Sequence, residues 1–180
     1  MKKYELTKET KTLADGTVLH RIRALMDIPR YCVRAGDLGG WIEKENNLSQ
    51  DGDSWVSGNA LVYGKALVYG YADVSDKAKV SDNAWVSGNA LVSGNAEVFG
   101  NALVSVNADY MVIKNIWSSG RWFTYTRSNK KWVVGCFYGT GEELVKKAYA
   151  DSELSGKCYE AIVRAVETIE AAKAEVEEEK

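Results

Sequence analysis

Valine recurs at every sixth position through the middle third of the chain. The series runs unbroken from Val56 to Val104, and alanine keeps the same spacing from Ala60 to Ala108. Glycine or aspartate stands two residues after each valine as far as Val98, so the repeated phrase is A-x-V-x-(G/D)-x. A period of six excludes an α-helix, whose period is 3.6 residues, and regularly spaced glycines oppose a helix as well.

Each phrase predicts one short strand followed by a tight corner. Alternation along a strand directs alanine and valine to one side and the residue between them to the other. Both inward residues are small, which suits a narrow interior. Glycine and aspartate suit corners that require unusual backbone dihedrals. We therefore expect the phrase valines and alanines, from Val56 to Val104 and from Ala60 to Ala108, inside a stack of short strands.

The phrase resembles the hexapeptide-repeat proteins, which fold as left-handed parallel β-helices of triangular cross-section. The resemblance covers residues 55–108, which hold nine phrases. It implies three phrases per coil and hence about three coils. The expected fold is mainly β: an N-terminal β cap (1–54), a left-handed parallel β-helix (55–112), and a C-terminal α+β unit of a hairpin and helices (113–180).

The segment before the repeats predicts a cap for the first coil, because an open β-helix end must be covered. The runs KYELT and TVLHRIRAL are typical of strands, and ADG at 14–16 between them is a turn signal. Trp41, Ile42 and Leu48 are the apolar residues expected to cover the first coil.

The segment after the repeats predicts a hairpin followed by helices. GRWFTYTR and KKWVVGCFYG flank the turn SNK. Thr140 with Glu143 three residues later is a capping-box pattern at a helix start. A further amphipathic helix is expected over about 156–176.

Composition narrows the classes of function. The chain has 23 Lys+Arg against 25 Asp+Glu, a net charge of -2, which favours neither general nucleic-acid binding nor attraction to an anionic membrane. No apolar run reaches the roughly 18 residues of a spanning helix, and the start lacks the apolar core of a signal peptide.

The three cysteines lie far apart in the sequence, at Cys32, Cys136 and Cys158. This spacing indicates reduced thiols in a cytoplasmic protein. We expect Cys136 to be packed rather than nucleophilic.

The whole arrangement is also similar to a group of phage and prophage accessory proteins, mostly of undescribed function. The resemblance rests on AGDLGGWIEKENNLS, the N-A-x-V-x-G repeats and the later run GCFYGTGEEL. It implies a protein that acts on host components. We expect a non-enzymatic binding protein that antagonises a host defence, by sequestering a nucleotide signal or by occluding a host protein. Two alternatives stay open: an acyltransferase of the hexapeptide-repeat class, and a phage structural or assembly protein.

The acyltransferase alternative needs a general base, which in that class is typically a histidine in or beside a coil. The single histidine, His20, precedes the repeats, and no loop interrupts them. No catalytic residue is therefore transferred to this chain, and His20 is expected to be a partly buried structural residue. We expect no cofactor. The DGD stretch at 51–53 is expected to be a turn, since a Ca²⁺ site needs six or more oxygens, and no metal site is predicted.

The outward residues of the phrases indicate a first candidate surface. Stacking every eighteen residues places Leu67, Trp85 and Leu103 in one column, which Tyr69 extends. The other two columns are interrupted by charge: Leu61, Lys79, Glu97 and Trp55, Asp73, Leu91. A continuous apolar column left in water is costly and adhesive. We expect it to mediate self-association, as a homotrimer by the hexapeptide-repeat resemblance. The alternative is that the C-terminal hairpin or helix covers it.

The C-terminal unit contains a second candidate surface for a host protein or a nucleotide-like ligand. Aromatic residues interleaved with Arg and Lys can stack on a ring and hold a phosphate. The candidates are Arg121, Trp122, Tyr125, Arg127, Lys131 and Trp132. Half of the side chains on any hairpin face inward, so ordinary packing is the alternative.

Overall fold

The computed structural model describes residues 2–117 and 120–178, and its N-terminal part is a set of three antiparallel strands. These are β1 (Tyr4–Thr12), β2 (Val18–Ala24) and β3 (Leu38–Ile42). β1 pairs with β2, and β2 pairs with β3. β1 and β2 are the two strands that the sequence predicted, and the turn between them contains Gly16 at a φ of +89°.

Nine two-residue strands follow at six-residue intervals and build a β-solenoid. They are β4 (Trp55–Val56), β5 (Leu61–Val62), β6 (Leu67–Val68), β7 (Asp73–Val74), β8 (Lys79–Val80), β9 (Trp85–Val86), β10 (Leu91–Val92), β11 (Glu97–Val98) and β12 (Leu103–Val104). Each strand from β4 to β9 pairs in parallel with the strand three places later, as β5 does with β8 and β8 with β11. Three consecutive strands therefore make one turn, and three parallel sheets form the faces.

The solenoid has about four turns, whereas the phrases predicted about three. The additional turn is built by residues before the repeat: β3 pairs in parallel with β5, and Leu48 forms a bridge with Val68. Trp41, Ile42 and Leu48, expected to cover the first coil, are instead part of it. The six-residue pattern does not extend to this turn, so periodicity alone did not include it.

The first turn is two residues longer than the others. Ile42 pairs with Val62, twenty positions later, whereas Val56 pairs with Val74, eighteen positions later. The additional residues lie between Leu48 and β4, where the DGD stretch bends through Gly52 at a φ of +70°. The predicted turn at 51–53 therefore accommodates the change of period.

The interior of the solenoid consists of the phrase valines and alanines. All of them from Val56 to Val104 and from Ala60 to Ala102 are buried. The prediction is wrong for Ala108, which is exposed because the chain leaves the solenoid there in a 3-10 turn, Asn107–Asp109. The corner residues all have positive φ, including Asp76 at 58° and Asp82 at 59°.

The C-terminal unit is a four-stranded antiparallel sheet packed against two helices. The strands, in sheet order, are β13 (Tyr110–Lys114), β14 (Trp122–Thr126), β15 (Lys131–Val134) and β16 (Phe137–Gly139). The helices are α1 (Gly141–Asp151) and α2 (Glu153–Glu178). The sequence predicted a two-stranded hairpin; β13 was missed, and the second run bends at Gly135, φ +60°, into β15 and β16.

The start of α1 is capped as the sequence predicted. The Glu143 backbone N–H donates to the Thr140 hydroxyl at 3.2 Å, and the Thr140 backbone N–H donates to the Glu143 carboxylate at 2.7 Å. The Thr140 backbone N–H and hydroxyl both donate to the Glu143 carboxylate, and they hold the pKa of this carboxyl below its usual value. The box satisfies two backbone groups at the chain's entry into the helix.

The open carbonyl groups at the N-terminal end of the solenoid are capped by donors from Lys3 and from Tyr4, the first residue of β1. Lys3 is 2% exposed, and its ammonium donates to the carbonyl oxygens of Ser54 at 2.7 Å and Gly52 at 3.2 Å. The Tyr4 hydroxyl donates to the carbonyl oxygen of Leu48 at 2.7 Å.

The open N–H groups at the C-terminal end are capped by side-chain oxygens. Glu97 donates to the Thr124 hydroxyl at 2.9 Å, and Leu103 donates to the Ser128 hydroxyl at 2.7 Å. Further backbone donors of this end are Leu91, bonded to the Asn107 amide oxygen, and Ser105, bonded to the Asp109 carboxylate. The C-terminal unit thus closes the end of the solenoid and leaves Trp85 and Leu103 of one face exposed.

Candidate functional site

Leu67, Trp85 and Leu103 lie in one column of the solenoid, which we call the apolar stripe. β6 pairs with β9 and β9 with β12, so the three outward residues are direct neighbours across parallel strands. Trp85 is 48% exposed and Leu103 is 51% exposed, while Leu67 is half-buried. The Tyr69 ring contacts the Trp85 ring edge-on, with centroids 6.3 Å apart. This face therefore presents a continuous apolar ridge in the single chain.

The chain's own C-terminal unit leaves the apolar stripe open. Its sheet meets the last turn at β11, where Thr124 accepts from Glu97, and its helices lie on the other side of that sheet. The expectation that a hairpin or helix would cover the stripe does not match this arrangement. The cause is the capping requirement of the solenoid end, which draws the unit to the end rather than to the side.

The other two faces are closed at their N-terminal ends. Leu61 is buried with Leu19 and Trp41, and Trp55 is buried with its ring edge-on to Tyr4 at 6.4 Å. Trp55, expected at an outward position of its phrase, is covered by Tyr4 of β1. Further along these faces the ammonium of Lys79 contacts Glu97 at 2.7 Å. Burial raises the pKa of the Asp73 carboxyl.

The structure places the candidate residues of the C-terminal unit in different environments. Tyr125 and Trp132 are buried in the core against the helices, with ring centroids 5.0 Å apart. Arg127 contacts Glu170 of α2 at 2.9 Å, and Lys131 is half-buried. Tyr125 and Trp132 therefore hold the unit together and present no ligand surface. Alternation along β14 separates them from Trp122, since successive side chains face opposite sides.

Arg121 and Trp122 are exposed and line a groove at the junction of the solenoid and the C-terminal sheet. The groove, here called the seam groove, has a volume of about 260 Å³. It is lined by Lys77, Lys79, Asn95, Glu97, Arg121, Trp122 and Gly135. Sequence reasoning identified Arg121 and Trp122 but missed Lys77 and Asn95. These two occupy ordinary corner positions of the repeat, and nothing in the pattern marks them.

His20 and Cys136 complete the set of residues considered for chemistry. His20 is half-buried on β2, between Thr10 of β1 and Ile42 of β3. Cys136 is exposed in the bend after Gly135, so the expectation that it would be packed is wrong.

Within residues 2–117 and 120–178, no group of three or more His, Cys, Asp or Glu side chains is arranged to hold a metal ion. Over the same residues, no helix is both long and apolar enough to cross a membrane.

Comparison with known proteins supports the repeat architecture and nothing finer. A search of curated proteins finds no match to this chain. Residues 56–70, within the solenoid, match the family model of the YdcK beta solenoid repeat, so this segment is similar to repeats of that kind.

Proposed function

We propose that this protein is a non-enzymatic binding protein that self-associates as a homotrimer through the apolar stripe. The observation that carries the proposal is the exposure of Trp85 and Leu103 on one straight face of a rigid solenoid. Burying one such side chain is worth roughly 1.5–3 kcal/mol. A column of three, extended by Tyr69, gives association a sizeable driving force.

Cyclic symmetry explains how one stripe per chain can be fully used. Copies arranged around a threefold axis each contribute the same face, and the assembly closes without leaving a stripe in water. The resemblance to hexapeptide-repeat proteins, which wind left-handedly and associate as trimers, supports three copies. Neither the N-terminal strands nor the C-terminal unit covers Trp85 or Leu103, which remain about half exposed.

In the phage setting that the second resemblance implies, the bound target is a host component. Antagonism of a host defence then follows either from sequestering a nucleotide signal or from occluding a host protein. The work takes place in the host cytoplasm in this proposal. Mass spectrometry of small molecules retained by the protein, purified from infected and uninfected cells, distinguishes a nucleotide from coenzyme A. Retained coenzyme A would contradict the non-enzymatic proposal.

The oligomeric state is tested with Trp85→Asp, because Trp85 is the centre of the stripe and large aromatics dominate interface energies. In sedimentation velocity the parent should have about three times the 19.9 kDa chain mass, and the variant should be monomeric with unchanged circular dichroism. Leu91→Asp is the matched control, since Leu91 is an exposed outward residue on another face. A monomeric parent contradicts the proposal, as does a Leu91→Asp variant that dissociates equally.

The non-enzymatic part is tested with His20→Ala. His20 lies on β2 between two strands and away from the stripe, so the substitution should leave binding and any acyl transfer unchanged. A loss of acyl transfer of about a hundredfold or more in a folded variant would favour the enzyme instead.

A further inference from the structure

We propose that the seam groove binds a nucleotide, that is, a phosphorylated molecule with a planar base. The groove is formed between two parts of the chain: corner and strand residues of the solenoid on one side, and Arg121, Trp122 and Gly135 of the C-terminal sheet on the other. This deepens the proposed function, and it rests on that function in treating the protein as a binding protein. The groove and the apolar stripe involve different residues.

Trp122 provides the surface for the base. It is the first residue of β14, and its side chain is 37% exposed. Its ring borders a second hollow of about 380 Å³ that adjoins the seam groove, and Asn95 also lines both. An indole with open space beside it can stack on any base, because every base has an aromatic face. The amide of Asn95 offers both a donor and an acceptor to a base edge.

Basic side chains surround the ring. Within the described residues, the Lys77 ammonium and the Arg121 guanidinium have no ion-pair partner. The Lys114 ammonium lies 5.6 Å from the centre of the Trp122 ring. Guanidinium and ammonium groups are the protein groups that bind phosphate oxygens most strongly. Phosphates held beside a stacked base would therefore meet cations on both the solenoid and the sheet.

The acidic groups near the groove are already engaged. Glu97 contacts the Lys79 ammonium at 2.7 Å. The Asp76 carboxylate, next to Lys77 in sequence, accepts from the Gly94 backbone N–H at 2.9 Å. The cations therefore exceed the anions at this place, in a chain whose net charge is -2. Because the overall charge gives no attraction to a long polyanion, a small phosphorylated ligand fits better than an extended nucleic acid.

The proposal is tested by isothermal titration calorimetry of the full-length protein with ADP, GDP, CDP and UDP. At least one nucleoside diphosphate should bind with a Kd below about 100 µM. The parent nucleoside and inorganic pyrophosphate should each bind at least tenfold more weakly, because each lacks one half of the recognised molecule. Trp122→Ala and Lys77→Ala should each weaken binding by tenfold or more.

Lys65→Ala is the matched control for Lys77→Ala. Lys65 is exposed and follows corner residue Gly64, as Lys77 follows corner residue Asp76, but it lies outside the groove. Binding by Lys65→Ala should equal that of the parent. Trp122→Ala removes a strand residue and can weaken the sheet. Lys77 lies at an exposed corner, so Lys77→Ala tests ligand binding without affecting the fold.

Three results would overturn the proposal. The first is that none of the four nucleotides binds with a Kd below about 100 µM. The second is that Lys77→Ala and Trp122→Ala bind like the parent. The third is that a ten-residue oligothymidylate binds tenfold tighter than the best nucleotide, which would identify the occupant as single-stranded nucleic acid. Sedimentation separates this proposal from the trimer: a monomeric parent that binds nucleotide contradicts the trimer alone, and a trimer that binds none contradicts the groove alone.

Discussion

The two ends of the solenoid are capped by different kinds of side-chain group. Between turns, many N–H groups donate to carbonyl groups of the next turn, as Leu61 does to Ala78. At the first turn, side chains from the start of the chain donate to carbonyl groups, so we call it the carbonyl end. At the last turn, side-chain oxygens mainly accept from N–H groups, so we call it the N–H end, and the Tyr110 hydroxyl also donates to the Leu91 carbonyl.

The carbonyl end is closed by buried donors that belong to its own core. Lys3 and Tyr4 come from the start of the chain, and Tyr4 packs within the solenoid core. The N–H end is closed by the buried Thr124 and by Ser128 and other short polar side chains, several of which are exposed. Water can replace an exposed cap but not a buried one. The comparison predicts that the N-terminal end is the more sensitive to single substitutions.

A substitution at the centre of the stack should cause the largest loss of stability. Val80 is fully buried in a turn that has neighbours on both sides. Val80→Asp should lower the free energy of unfolding by about 4 kcal/mol or more, because it buries an unpaired charge. Urea unfolding followed by circular dichroism measures the change. An aspartate variant as stable as the parent would mean that this position is not interior.

The carbonyl end should be next in sensitivity. Lys3→Met keeps the aliphatic bulk but removes the donors to Ser54 and Gly52. We expect a loss of about 2 kcal/mol, since two carbonyl groups would be left without partners. The same urea titration tests it. If the loss is smaller than that of a single C-terminal cap variant, the proposed difference between the ends is wrong.

The pH dependence of the carbonyl end follows from the same residue. Burial lowers the pKa of Lys3 from 10.5 to about 8, although Asp53 and Asp51 oppose the shift. Between those two pH values the unfolded chain binds a proton that the folded chain does not, so stability should rise with pH. We expect about 1–2 kcal/mol between pH 8 and about pH 9.5.

The window ends near pH 10 because Tyr4 acts in the opposite direction. Its burial, with the nearby charge of Glu45, raises the pKa of its hydroxyl, so the folded state resists the ionisation that the unfolded chain undergoes. Lys3→Met is the control for the alkaline rise and should abolish it. A rise of equal size in Lys3→Met would assign the effect to another group.

The N–H end should show the smallest effects. Ser128→Ala and Thr124→Val each remove one acceptor, from Leu103 and Glu97. Each should cost about 1 kcal/mol, and less for Ser128, which is exposed so that water can take its place. Thermal unfolding of the two single variants and the double variant measures this. A loss above that of Lys3→Met would reverse the order of the two ends.

Acid pH should affect the N–H end, where Asp109 accepts hydrogen bonds from the backbone. Burial acts to raise the pKa of the Asp109 carboxyl, but hydrogen bonds from the Ser105 and Val106 N–H groups outweigh it and hold the pKa below its usual value. Its contribution is therefore present at neutral pH and is lost as the pH falls through that lowered pKa. Asp109→Asn should flatten the acid limb of the stability profile and leave the alkaline limb unchanged. An altered alkaline limb would show that the two ends are coupled.

The repeat is the part of this molecule that the sequence determined by itself. Six-residue spacing assigned the valines to the interior, the glycines and aspartates to corners, and Leu67, Trp85 and Leu103 to one column. Each of these depends only on local alternation and on a constant number of residues per turn. Periodicity therefore carried the information, and only Ala108, where the period ends, was misplaced.

Only the tertiary structure decided what happens outside the period. The first turn, the caps and the seam groove depend on contacts between residues far apart in sequence, such as Lys3 with Ser54 and Thr124 with Glu97. No spacing rule predicts such pairs. Each is a single contact between one side chain and one backbone group, and a single contact produces no repeating pattern in the sequence. For the same reason Arg121 and Trp122 could be found from their chemistry, while Lys77 was recognised only once the sheet lay against the solenoid.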